Sequence, residues 1–106
     1  KRYKIPVQVP FVAKHAKHVY QTFAINVSGS IRNELITFLR KKGVEASVHF
    51  TPVLHEQKYY KSKFPPRKKL VNATKLSKTL ISLPMHSKIQ IKEIDYVCYC
   101  LSQYFK

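Results

Sequence analysis

The stretch 43–55, Gly-Val-Glu-Ala-Ser-Val-His-Phe-Thr-Pro-Val-Leu-His, constrains the rest of the chain most tightly. Val44, Ala46, Val48 and Phe50 alternate with Glu45, Ser47 and His49. That period belongs to a strand with one buried face, because successive side chains leave the pleat on opposite sides. His49 therefore falls on the outward face with Ser47. Pro52 has no amide hydrogen for a ladder, so the strand must end soon after His49. An imidazole, able to donate, accept or carry charge near neutral pH, is thus delivered to a strand end beside a loop. On this chemistry alone, a solvated surface histidine is the simpler reading and a ligand-facing one the sharper.

The flanking segments show how the chain reaches and leaves that strand. Ile31, Leu35, Phe38 and Leu39, with Ile36 at the margin, predict a helix over 31–42. Ser30 is placed to cap its start, and Arg40, Lys41 and Lys42 complement the dipole at its end. Gly43 fits the left-handed position that closes a helix. Upstream, 18–27 reads as a strand with Val19, Phe23, Ile25 and Val27 on one face. Residues 1–17, basic and carrying Pro6 and Pro10, read as an extended lead-in or linker.

Downstream, 55–64 predicts a short helix that packs through Tyr59, Tyr60 and Phe64, and Pro65-Pro66 stops it. Asn72 is placed to cap a helix over 73–80, with Leu76 and Leu80 facing in. Ile81, Leu83 and Met85 share a face of a strand over 81–86, where Pro84 requires an edge or non-bonded position. A closing helix over 91–104 carries the stripe Ile91, Ile94, Cys98, Leu101 and Phe105. The succession describes an α+β fold. Its small, mostly antiparallel sheet has helices packed mainly on one face, in one domain over 18–106.

Composition narrows the chemistry. Twenty Lys and Arg against five Asp and Glu give a net charge of +15, a field that attracts polyanions. The cations are scattered, lysine outnumbers the better phosphate reader arginine, and no helix-turn-helix, zinc-finger or RNP pattern occurs. Solvated faces are therefore favoured over a nucleic-acid surface. With two glycines there is no phosphate loop, and five dispersed acids form no catalytic pair. Cys98 and Cys100 point to nearly opposite sides of a helix, so they neither pair nor make a metal site with a distant histidine. Few cysteines, no apolar run near the roughly 18 residues that span a bilayer, and no secretory h-region predict a cytoplasmic setting. The first residue is Lys1 rather than Met, which points to a piece of a longer chain.

A run of short motifs adds a resemblance. His18-Val19-Tyr20, Ile31-Arg32-Asn33-Glu34-Leu35-Ile36, Lys42-Gly43-Val44 and Ser47-Val48-His49-Phe50 come first. Pro52-Val53-Leu54-His55, Tyr59-Tyr60, Asn72-Ala73, Leu83-Pro84-Met85-His86 and Glu93-Ile94-Asp95-Tyr96-Val97 follow in order. From residue 18 to 105 the chain resembles the C-terminal small domain of the DegT/DnrJ/StrS sugar aminotransferases, pyridoxal-phosphate (PLP) enzymes of the aspartate-aminotransferase fold type. Gln21, Phe50 and Val71 depart from that family's usual residues.

The resemblance implies an enzyme that aminates a nucleotide-linked keto sugar, with an amino acid as donor and PLP as cofactor. It implies that the Schiff-base lysine and phosphate loop lie in a large domain outside this chain. No cofactor is then expected on the piece alone, which should be inactive. It carries no catalytic residue over to this chain. It carries substrate contact over to His49, and more weakly to His55, while His86 and the tyrosines stay structural. A homodimer is implied for the whole enzyme, without membrane or nucleic-acid partners. The alternative from another class is a stand-alone basic module that grips nucleic acid or another polyanion.

Overall fold

A computed structural model describes residues 3–106. The elements run β1 (Phe23–Asn26), α1 (Arg32–Lys41), a single 3-10 turn (Leu54–Glu56), α2 (Lys58–Lys63), α3 (Val71–Thr79), β2 (Leu80–Leu83) and α4 (Ile91–Tyr104). β1 and β2 are antiparallel, with Phe23 opposite Leu83 and Ile25 opposite Ile81. Each edge is extended by a one-residue bridge: Gln8 pairs with Asn26 beside β1, and Ser47 pairs with Ser82 beside β2, both antiparallel. The α+β architecture with a small antiparallel sheet is as the sequence predicts.

Ile25 and Ile81 point to the helix side and are fully buried with Leu35 and Leu39 of α1 and Cys100 of α4. Burying one such aliphatic side chain contributes roughly 1.5–3 kcal/mol, so these few positions hold the sheet to its helices. Val44 and Ala46 complete the same face from the incoming segment. Ala24, Ser82 and Ser47 therefore lie on the opposite face. The polar side of the alternation read in 43–55 is real, although the segment makes one ladder pair rather than a full strand.

The end of α1 is the element read most closely. Gly43 has φ 76°, where a Cβ would be strained. Its amide donates to the Arg40 carbonyl at 2.9 Å and the Val44 amide to the Leu39 carbonyl at 2.9 Å. These are the paired bonds of a Schellman stop. The start of α1 differs from expectation. Ser30 does not cap it: its hydroxyl bonds that of Ser28 at 2.8 Å, and Ile31 occupies the cap position with no side-chain bond.

Other expectations need correction. β1 begins at Phe23 rather than residue 18, because Tyr20 turns to φ 48° and its amide donates to His18 Nδ1 at 2.8 Å. Val19 is left exposed. Asn72 lies inside α3, whose cap position is Leu70, and Leu76 is exposed. β2 ends at Leu83, before Pro84, and Met85 is exposed. Every residue from 56 to 72 is exposed, so Tyr59, Tyr60 and Phe64 pack on one another rather than on the core. The radius of gyration, 15.8 Å, exceeds the about 13 Å of a compact domain this size, as exposed segments require.

On α4 the bounds match the sequence reading and the buried face does so only in part, at Leu101 and Phe105. Cys100 and Leu101 are buried, whereas Cys98 is half-buried and Ile91 and Ile94 are exposed. The helix is apolar on two sides. One faces α1, with Tyr104 against Phe38 at 5.3 Å between ring centres. The other, with Ile94 and Cys98, lines an open apolar groove of about 360 Å³ shared with Ile5, Val7, Phe23 and Leu83. The segment before residue 18 is bonded to the sheet, where Gln8 and Asn26 exchange amide bonds at 3.0 and 2.8 Å, and it turns at 14–15.

Candidate functional site

His49 stands on the sheet face opposite the helices, because the alternation that buries Val44 and Ala46 turns Ser47 and His49 outward. Its ring is not free to swing. Nδ1 lies 2.7 Å from the Ser82 hydroxyl. Ser82 is the buried polar residue of the sheet, 6% exposed, and its backbone is fixed against Ser47 by amide bonds of 2.8 and 3.0 Å.

Beside this pair is an open depression of about 330 Å³ lined by Gln21, Arg40, Glu45, Ser47, His49 and Ser82, among others. Arg40 reaches it from the end of α1, and its Nε donates to the Ala46 carbonyl at 2.8 Å. That bond pins the incoming segment to α1, with Arg40 on the wall of the depression. The wall thus offers an imidazole, a guanidinium, a carboxylate and hydroxyls, a set suited to binding a hydroxylated or anionic ligand.

His55 is held elsewhere. Its Nε2 lies 3.1 Å from the Thr74 hydroxyl, and Thr74 in turn donates to Glu56 at 3.0 Å. The network ties the 3-10 turn to α3, and His55 does not line the depression with His49. His86 is exposed on another hollow, lined also by Glu93 and Tyr96. Burial, and then the Asp95 carboxylate, push the Cys98 thiol up, which disfavours the reactive thiolate. Among the described residues no cluster of three or more His, Cys, Asp or Glu is placed to hold a metal. No described helix is long and apolar enough to cross a membrane.

Ser82 and Arg40 are the site residues that the sequence reading passed over. A serine in Leu80-Ile81-Ser82-Leu83 reads as surface, and Arg40 reads as a helix-end charge. The available signal was parity. Ile81 faces the core, so Ser82 must face the side that His49 faces.

The sequence model of the DegT/DnrJ/EryC1/StrS aminotransferase family matches residues 3–102, and the chain belongs to that family. A curated relative, the pleiotropic regulatory protein of Geobacillus stearothermophilus, is 27% identical over 89 residues, covering 84% of this chain and 23% of the relative. A solved DegT/DnrJ/EryC1/StrS aminotransferase from Brucella abortus superposes with a TM-score of 0.84 at 21% identity, over 92% of this chain and 26% of that one. NtdA from Bacillus subtilis, solved with bound cofactor PMP, gives a TM-score of 0.76 at 26% identity, over 90% of this chain and 22% of that one. The chain therefore spans about a quarter of the length of these relatives.

Proposed function

We propose that this chain is the small-domain wall of the active-site cleft in a PLP-dependent sugar aminotransferase. The enzyme transfers an amino group from glutamate or glutamine to a nucleotide-linked keto sugar. The observation that carries the reading is the His49–Ser82 pair: an outward imidazole, held at 2.7 Å by a buried hydroxyl, at the edge of a polar depression. In this role His49 hydrogen-bonds a sugar hydroxyl or a diphosphate oxygen, and Arg40 offers its guanidinium end to the same ligand.

Bound PLP supplies the electron sink for amino transfer. The described residues do not fit the task of holding it. Every described lysine is exposed, whereas a lysine that condenses with a carbonyl cofactor works from an enclosed site. The two glycines, Gly29 and Gly43, form a turn and a helix stop rather than a phosphate cradle. The cofactor's contacts are assigned to the remainder of a longer enzyme, and the isolated chain is inactive.

Surface character supports a missing neighbour. Phe50 is 83% exposed and Phe64 67%, and the apolar groove beside α4 is open. Apolar surface of this kind marks contact with another body. In the whole enzyme that body is the large domain, and two copies form a cytoplasmic homodimer. The test is an amination assay of the full-length protein with nucleotide-linked keto sugars and glutamate or glutamine. Formation of the amino sugar is expected. Amino transfer confined to simple keto acids would overturn the substrate assignment.

A further inference from the structure

We propose that Ser82 is a positioning residue: it fixes the tautomer and aim of the His49 ring, so that His49 presents Nε2–H as a donor to the ligand. The functional half of this proposal rests on the reading of His49 as a substrate contact. The structural half does not.

Ser82 cannot move far. It sits opposite Ala24 of β1 on one side and exchanges both amide bonds with Ser47 on the other. Its side chain is buried, and among the described residues its hydroxyl has a single hydrogen-bond partner, His49 Nδ1 at 2.7 Å. A buried hydroxyl proton without an acceptor is costly, so the hydroxyl donates and Nδ1 accepts. Nδ1 accepts only when it carries no proton, which places the neutral ring's proton on Nε2. Nε2 has no protein partner among the described residues, and the ring is exposed. The donor edge is therefore left for an oxygen acceptor at the depression. Without the Ser82 hydroxyl, the ring is free to flip and to exchange tautomers.

The tautomer is read by nitrogen-15 NMR of the His49 ring in this chain, at a pH where the imidazole is neutral. A protonated-type Nε2 and an unprotonated-type Nδ1 are expected. In Ser82→Ala both nitrogens should move toward averaged shifts, and Ser82→Thr should restore them. A wild-type proton on Nδ1, or ring shifts unchanged in Ser82→Ala, would overturn the assignment; the wild-type spectrum decides even if a variant does not fold. In the full-length enzyme Ser82→Ala should lower kcat about tenfold, the scale of one lost hydrogen bond. Ser82→Thr should stay near wild type, and Ser82→Ala should add nothing to His49→Ala. Additive losses would overturn the positioning role. Unchanged kinetics in His49→Ala would overturn the cleft reading alone, because the ring shifts decide the tautomer separately.

Discussion

The Val44 amide donates to the Leu39 carbonyl at 2.9 Å, one residue past a glycine held at φ 76°. Both side chains are buried, so a single turn ends α1, seals its last carbonyls and starts the segment that carries His49. A Cβ on Gly43 would meet nothing within 4 Å. The cost of replacing this glycine is therefore conformational rather than steric. Gly43→Val should destabilise the domain by about 1 kcal/mol or more, and Gly43→Asn by less, because asparagine tolerates the left-handed region. Denaturant unfolding of the two variants checks the order. Equal stability of Gly43→Val and wild type would mean that the helix ends another way.

Alkaline pH should weaken the fold through α4. Burial first, and then Asp95, raise the Cys98 thiol above its ordinary value of 9.0, so the folded state favours the protonated form. That contribution is complete below the ordinary value and is lost as pH rises through the raised folded value. The stability advantage of wild type over Cys98→Ala should therefore narrow as the pH is taken from below that ordinary value to above it. An advantage constant across that window would contradict it.

The chain alone should not retain the cofactor. Incubation with PLP followed by desalting should leave no visible absorbance, because the described lysines are exposed and hydrated. A stable band mapping to one lysine would contradict this.

Much of this was legible because local signals agreed. Gly43 after three cations announced the stop of α1, and the period of 91–104 gave α4 to the residue. The face of α4 was legible only in part. A helix with two apolar sides shows a stripe, but sequence does not say which side is covered, and Cys100 rather than Cys98 proved buried. Tyr59, Tyr60 and Phe64 misled for a related reason: apolar rings read as core, yet their whole segment is exposed. The outward side of His49 was legible from alternation, while its reading as a substrate contact came from the family resemblance. Ser82 was not legible, because its role depends on a partner 33 residues away.

The most direct test is His49→Ala in the full-length enzyme, with turnover and melting temperature measured together. The ring lies on the exposed face outside the buried cluster, and its removal strands only the Ser82 hydroxyl, so the melting temperature should fall slightly while kcat falls by about tenfold or more. Full turnover in the variant would return His49 to the solvated surface and remove the basis for a ligand site on this wall.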